Sequence, residues 1–173
     1  MTWHEIVKYS PENYDEKGVY TKDEWTSRSD VGKCYDGKPF AIEEYLDVEQ
    51  HHINVILAIM DAANCKCLTI RYIEADKAYV AKRIKSSRFH EMDSPLLKSI
   101  PLLEEKRRIY SKEELSDIIR LALRKYIYVE LSNKERKLLI EFGYDYYLKV
   151  SCSLSDEVLG SLVRKEMLFL DPR

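Results

Sequence analysis

A Gly-Lys pair inside the stretch WTSRSDVGK, residues 25–33, is the first feature that could do chemistry. A phosphate-binding loop of the nucleotide hydrolases needs a glycine five residues before that pair and a Ser or Thr directly after it, because backbone amides surround the phosphates and the hydroxyl meets the metal. Ser27 takes the place of the glycine here, and Cys34 follows the lysine. The loop is therefore not a nucleotide cradle.

The cysteines and histidines do not match a catalytic or metal-binding motif. Of the four cysteines only Cys65 and Cys67 are close together, and C-x-C is neither a disulfide framework nor the C-x-x-C spacing of a zinc site. On a helix the adjacent His51 and His52 would point about 100° apart, so they cannot ligate one metal from one face. The sequence predicts no metal, no cofactor and no enzymatic activity, and an enzyme with an acidic active site is the least favoured class.

Glu49 is a carboxylate on the apolar face of a helix, among Tyr45, Leu46 and Ile53. A carboxylate in that position must be paired, be hydrogen-bonded or line a cleft. We expect structural pairing, with a tyrosine hydroxyl, an arginine or the backbone amides of the preceding loop. A catalytic carboxylate with a raised pKa is the alternative, although no second acid is placed with it.

Charge is distributed unevenly along the chain, although the net charge is only −2. Residues 1–50 carry a net charge of −6 and residues 51–110 carry +4, much of it on Lys82, Arg83, Lys85 and Arg88. This pattern predicts one acidic face and one basic region, with ordinary solvated faces as the alternative. The basic region and the 13 tyrosines would suit stacking on nucleic-acid bases. The overall acidity opposes that function, so we expect no direct nucleic-acid contact.

The elements that position these residues predict one α+β domain. A chain of 173 residues can bury a core without disulfides or metals. No apolar run is long enough to span a membrane, and the N-terminus lacks the apolar segment of a secretory signal, so a cytoplasmic location is expected.

Helical periodicity predicts a long helix over residues 41–62, and capping signals start shorter helices at Ser111 and Ser155. Five segments are predicted as strands: a region near 25–35, then 67–73, 125–131, 137–143 and 144–151, the last two forming a hairpin across Gly143. We also expect a turn at 35–38, a strand in the ambiguous segment 77–90 and loop over most of 86–101. The fold class is therefore α+β, a single domain with a largely antiparallel sheet, one long helix and two shorter ones.

The chain contains the pattern W-x-S-x-S-D-V-G-K from Trp25, followed by Tyr35, Gly37 and E-E-Y-L-x-V-E ending at Glu49. This pattern resembles that of small cytoplasmic immunity proteins. These proteins are encoded beside the toxins of bacterial contact-dependent growth inhibition and related polymorphic toxin systems. The likeness covers roughly residues 18–75. It departs at Ala41, where the family often has a capping Thr, so we expect the helix to begin earlier with Pro39 in its first turn.

The resemblance implies a stoichiometric inhibitor that forms a 1:1 complex with a cognate toxin domain, commonly an RNase or tRNase, by covering its active site or substrate surface. A nuclease has a basic cleft, so an acidic surface with aromatic anchors is its complement. The alternative is a nucleic-acid-binding or adaptor module without catalysis. The candidate toxin-binding residues are Tyr14, Asp15, Glu16, Asp23, Glu24, Trp25, Asp30, Tyr35 and Asp36, with Glu43, Glu44 and Asp47 on the exposed side of the helix. Some residues of this region can instead be scaffold. They are Trp25 and Glu49, Gly32 at a turn, and Asp30 and Lys33, which would tie the loop to the following helix.

Overall fold

A seven-stranded antiparallel sheet, a small hairpin and five α-helices make up the part of the chain that the computed structural model describes, residues 2–172. The strands are β1 Trp3–Val7, β2 Cys34–Tyr35, β3 Lys38–Pro39, β4 Leu68–Glu74, β5 Arg108–Ile109, β6 Tyr128–Asn133, β7 Leu138–Phe142, β8 Leu148–Ser151 and β9 Phe169–Leu170. The helices are α1 Ile42–Ala62, α2 Lys77–Ser86, α3 His90–Asp93, α4 Lys112–Leu123 and α5 Asp156–Lys165. The large sheet has the order β5-β4-β6-β7-β8-β1-β9, and β2 pairs with β3 alone.

One face of the large sheet is buried because apolar residues occupy every second position of its strands. Val129, Leu131 and Ile140 are fully buried, whereas Glu130 and Glu141 alternate with them and stay partly exposed. The helices supply the other half of a single hydrophobic core, and α1 contacts both α4 and α5. The predicted α+β class with a largely antiparallel sheet is confirmed.

The second face of the sheet is open to solvent. Trp3 and Tyr72 on this face are 45% and 39% exposed, and the Lys149 side chain is 46% exposed. An antiparallel sheet tolerates such a face when its side chains are polar or paired. Two separate surfaces are therefore available to partners: this open sheet face and the long N-terminal segment, residues 8–41, which we call the arm.

The arm contains less strand than predicted. Residues 28–30 form a turn of 3-10 helix, and only Cys34–Tyr35 pairs with Lys38–Pro39. The predicted turn between them is confirmed, since Asp36 and Gly37 both have positive φ angles of 49° and 74°, as a tight two-residue hairpin requires. Gly32, with φ of 93°, likewise permits a turn.

Two helical segments contradict the sequence prediction. Residues 77–86 form α2 rather than a strand, and the expected loop over 86–101 contains α3 and a 3-10 helix, Ser94–Leu102. The helix count is therefore five, against the three expected. The long helix begins at Ile42, and Pro39 lies in β3 rather than in the first helical turn, so the expected earlier start is wrong. Ala41 is the residue before the helix, and its N–H lies 3.4 Å from a Glu44 carboxylate oxygen.

The predicted hairpin across Gly143 is confirmed, because β7 and β8 pair in antiparallel register. The Gly143 N–H donates to the Tyr147 carbonyl at 2.7 Å. A Cβ atom at this position would lie 3.0 Å from that same carbonyl oxygen, which explains the glycine.

Candidate functional site

Trp25 forms the base of the arm. It is 8% exposed, its ring stacks on Phe40 with centroids 4.5 Å apart, and the Tyr146 ring meets it edge-on at 5.4 Å. The Lys8 ammonium lies 4.3 Å from the ring centroid, within cation–π range. The Tyr45 ring at the start of α1 lies 6.0 Å away. These contacts attach the arm to α1 and to the β7–β8 hairpin, so burial favours a scaffold role for Trp25 over direct partner contact.

Asp30 closes the loop that carries the Gly-Lys pair. Its carboxylate accepts hydrogen bonds from the Thr26 and Ser27 amides at 2.9 and 3.1 Å and from Lys33 Nζ at 2.7 Å. Burial alone would raise the pKa of Asp30, but these bonds outweigh it and hold the pKa below its usual value. Asp30 therefore ties the loop to itself and not to the following helix, contrary to the prediction.

Three further predicted residues are half-buried and already have partners. Glu24 accepts from Lys8 Nζ at 2.8 Å and from the Tyr20 hydroxyl. The Tyr14 ring meets Tyr20 edge-on at 5.0 Å, and Tyr35 meets Phe40 at 6.4 Å. These contacts stabilise the arm, and all three residues remain partly exposed.

The remaining seven predicted residues, which we call the exposed acids, are all on the surface: Asp15, Glu16, Asp23, Asp36, Glu43, Glu44 and Asp47. Asp47 lies 3.5 Å from His51 Nε2. None of the other six has a Lys, Arg or His nitrogen within 4.0 Å among residues 2–172. Asp15 does have a local role, since it accepts from the amides of Lys17 and Val19 and so shapes a turn. The arm and the first turns of α1 thus present carboxylates that are not neutralised by contact with a basic side chain.

A second group of charged residues, the buried ion cluster, lies behind the arm. It comprises Glu49, Asp93, Arg28, Arg124, Tyr45 and Tyr126. Arg124 donates to both Glu49 oxygens at 2.8 and 2.6 Å, and its third nitrogen donates to Asp93 at 2.7 Å. Glu49 also accepts from the Tyr45 hydroxyl at 3.1 Å. The predicted structural pairing of Glu49, with an arginine and a tyrosine, is confirmed.

Asp93 is the centre of the cluster. It is fully buried and accepts from Arg28 at 2.6 and 2.9 Å and from the Tyr126 hydroxyl at 2.5 Å, in addition to Arg124. Burial would raise the pKa of Asp93, yet the bonds from Arg28 and Tyr126 hold it below its usual value. Burial would likewise lower the pKa of Arg124, but the bonds to Glu49 raise it. Both groups therefore stay charged, and their hydrogen-bonding capacity is used internally.

Sequence reasoning missed Asp93, Arg28 and Arg124. Asp93 was placed in a loop, and its partners lie 65 and 31 positions away in the chain. The one available signal was Glu49, whose burial demanded a cationic partner.

The open sheet face carries both paired and unpaired acids. Glu5 pairs with Lys149 at 3.2 Å, and Glu130 lies 3.6 Å from Arg71. Glu74 and Glu141, on the same face, have no basic nitrogen within 4.0 Å among residues 2–172. The exposed acids differ in that all seven lie within residues 1–50, a segment with a net charge of −6.

No group of three or more His, Cys, Asp or Glu side chains in residues 2–172 is placed to hold a metal ion. Within that range no helix has the length and apolarity needed to cross a membrane. His52 is fully buried, with its Nδ1 2.8 Å from the Val48 carbonyl, and burial lowers its pKa to about 4. It is therefore a neutral core residue.

Comparisons with models of protein families, with curated proteins and with solved structures found no match for this chain.

Proposed function

We propose that this chain is a cytoplasmic immunity protein, which binds a cognate toxin domain stoichiometrically and neutralises it without catalysis. The exposed acids are the observation that carries the proposal. Six of the seven have no basic nitrogen within 4.0 Å in the described part of the chain, and all seven lie within residues 1–50, which carry a net charge of −6. Carboxylates left open in one region complement a cationic partner.

The arm has the rigidity that a binding surface needs. The stack of Trp25 on Phe40 and the Asp30 bonds fix the loop before the partner arrives. A pre-ordered surface loses less entropy on binding than a mobile one. Asp36 lies at the tip of the β2–β3 hairpin, and Glu43 and Asp47 are four residues apart and so on one side of α1.

The proposed mechanism is occlusion of the toxin's substrate surface. A nuclease must attract phosphate and therefore presents cations at its active site. The exposed acids would occupy those cations in place of phosphates, while Tyr14 and Tyr35 supply aromatic edges at the interface. Long-range attraction raises the association rate, and the aromatic contacts slow dissociation.

The test pairs this chain with the C-terminal domain of any large secreted protein encoded directly upstream of it. Growth is scored when the toxin domain is produced alone and with this chain, and calorimetry gives the stoichiometry. We expect growth to be restored and one-to-one binding. The triple variant Asp36→Lys/Glu43→Lys/Asp47→Lys should lose protection.

The matched control is Glu91→Lys/Glu105→Lys/Glu135→Lys, which makes the same charge change at exposed positions outside the arm. It should protect as well as the unchanged chain. Equal loss of protection in both triple variants would show that net charge rather than the arm matters. Turnover of a substrate by the purified chain, or no binding to that domain, would overturn the proposal.

A further inference from the structure

A cleft opens between the arm, the end of α2 and the end of α4. It has a volume of about 390 Å³, and its lining includes Ser27, Arg28, Arg83, Arg88, Lys125 and Tyr126. We call it the basic cleft. It lies directly outside the buried ion cluster, since Arg28 and Arg124 belong to both.

The basic cleft has more cationic side chains than acidic ones. Five cationic side chains line it and no acid does: the cations are Arg28, Arg83, Arg88, Arg124 and Lys125. Arg28 and Arg124 are paired with Asp93 and Glu49. Arg83, Arg88 and Lys125 have no carboxylate within 4.0 Å among residues 2–172. The Lys125 ammonium donates to the Gly143 carbonyl at 2.6 Å and lies 5.1 Å from the Tyr144 ring centroid, and neither residue lines the basic cleft. Two guanidiniums, those of Arg83 and Arg88, therefore remain without a close counter-charge in this concavity.

Arg83 is held in place by contacts that leave much of its guanidinium free. Its Nη1 donates to the Lys125 carbonyl at 2.8 Å, and its plane lies 5.1 Å from the Tyr126 ring centroid. A guanidinium carries five N–H donors, so the Nε and Nη2 groups remain without a protein acceptor in the described chain. Stacking on a ring orients the group without consuming those donors.

Arg88 is oriented in a similar way. Its Nη2 lies 3.1 to 3.4 Å from the carbonyls of Arg28, Ser29 and Val31, and the guanidinium lies 4.6 Å from the Phe89 ring centroid. The Nε and Nη1 donors have no acceptor within residues 2–172. Because this contact joins the connection between α2 and α3 to the arm, it places a second guanidinium fork at the same cleft.

From this arrangement we propose that the basic cleft binds a phosphoryl group. Two guanidinium forks, each with free N–H donors, match the three oxygens and the charge of about −1.5 to −2 that a phosphomonoester carries at pH 7. A carboxylate offers only two oxygens and one negative charge, so it would leave one of the two guanidiniums uncompensated. The volume corresponds to about a dozen water molecules, enough for the phosphoryl group with a sugar attached.

This inference is independent of toxin binding, because the basic cleft and the exposed acids use different residues. Lys82 and Lys85, which are exposed on α2, extend the positive charge beyond the rim. The phosphoryl group can therefore belong to a free small molecule or to a single-stranded nucleic acid that follows this rim. The chemistry is shared, and the experiment separates the two sources.

The first measurement titrates the full chain at low salt with adenosine 5′-monophosphate and with adenosine. We expect the phosphate ester to bind, inorganic phosphate to compete with it and adenosine not to bind. Arg83→Gln and, separately, Arg88→Gln should each weaken binding at least tenfold. Arg136→Gln, an exposed arginine on the β6–β7 turn, is the control and should leave the affinity unchanged.

Thermal melts of each variant accompany the titrations. Arg88 bridges to the arm, so Arg88→Gln can lower stability as well as binding. If that variant unfolds, Arg83→Gln decides, since within residues 2–172 the Arg83 side chain donates to a single carbonyl. Absence of binding by the phosphate ester, by inorganic phosphate and by RNA would overturn the proposal. Equal weakening of binding by Arg83→Gln and Arg136→Gln would also overturn it, because the affinity would then depend on the overall charge of the protein and not on the cleft.

The second measurement compares a single-stranded RNA hexamer with and without a 5′-phosphate. At least tenfold tighter binding of the phosphorylated hexamer assigns the cleft to a terminal or free phosphoryl group. Equal binding of both, lost in Arg83→Gln and steeply weakened by salt, assigns it to backbone phosphates. Arg83→Gln should still protect against the toxin domain, so failure here and failure of the proposed function are distinguishable.

Discussion

Asp93 and Asp36 are both single carboxylates in short elements, but they have opposite surroundings. Asp93 is fully buried and accepts from two arginines and a tyrosine. Asp36 lies at the tip of a hairpin with no basic nitrogen within 4.0 Å in the described chain. The buried ion cluster and the exposed acids differ in the same way throughout.

This difference indicates separate tasks for the two regions. Groups in the buried ion cluster have used their hydrogen bonds internally, so removing one leaves a desolvated charge without its partner. The exposed acids remain hydrated and lose little when they are changed, so their charge is available for recognition. Four predictions test the contrast, from the largest expected effect to the smallest.

Asp93→Ala should lower the free energy of unfolding by about 3 to 5 kcal/mol, because Arg28 and Arg124 would lose their shared counter-charge inside the protein. Urea unfolding followed by circular dichroism measures it. Asp36→Asn is the control, because Asn also tolerates the positive φ of this position, and its expected change is within about 0.5 kcal/mol. Similar small losses in both variants would contradict the division into two regions.

Trp25→Ala should lower the free energy of unfolding by about 3 kcal/mol, since a large buried ring is removed and a cavity remains. Such a loss would show that the base of the arm belongs to the protein interior, unlike the exposed acids. Tyr144→Ala, which removes a ring that is 84% exposed, should change stability by no more than about 0.5 kcal/mol. A loss below that value for Trp25→Ala would show that the arm is not anchored there.

Falling pH should destabilise the protein through His52. Its pKa is about 4 when folded and about 6.5 when unfolded, so only the unfolded state takes up the proton between these values. The contribution is fully present above pH 6.5 and decreases by about 3 kcal/mol as the pH approaches 4, at about 1.4 kcal/mol per unit of pKa difference.

Unfolding free energies measured at intervals from pH 7 to pH 4 test this contribution. His52→Gln should have a shallower slope than the unchanged chain. His90→Gln, at an exposed position, should have the same slope as the unchanged chain. A slope that His52→Gln leaves unaltered would place the proton uptake elsewhere.

The smallest stability effect, about 1 to 2 kcal/mol in total, is expected for Asp36→Lys/Glu43→Lys/Asp47→Lys. Lys tolerates the positive φ of position 36 less well than Asp, and Glu43 is an acid in the first turn of α1. Association with a cationic partner should nevertheless slow at least tenfold at low salt, and the gap should narrow as salt screens the charges. Stopped-flow association rates at two salt concentrations measure this. A large loss of stability would place these acids with the buried ion cluster.

The sequence predicted those parts of the fold that are set by local patterns. The helix at 42–62 follows from apolar spacing, and the turn at Asp36-Gly37 follows from residues that tolerate positive φ. The prediction for segment 77–86 was wrong because KAYVAKRI fits both the two-residue period of a strand and the 3.6-residue period of a helix. Asp76, whose carboxylate caps the helix by accepting from the Tyr79 amide at 2.9 Å, was the overlooked signal for a helix.

The site was less predictable because its geometry is non-local. Glu49 could be identified as a paired carboxylate from its position on the apolar face of the helix. Its partner Arg124 could not be identified, because it lies 75 positions away in the chain. Trp25 and Asp30 could not be separated from the exposed acids, because composition carries no information on burial. The basic cleft joins residues from three elements, and only the tertiary structure brings them together.

The position of β1 has a consequence for synthesis. This strand lies between β8 and β9, where His4 faces Val150 and Val7 faces Phe169. Because β1 precedes both of its partners in the chain, it waits unpaired until β8 has been made, and such distant pairing slows folding. During that interval WHEIV has an unprotected hydrogen-bonding edge, so a nascent chain stalled before residue 148 would be a target for chaperones or for self-association.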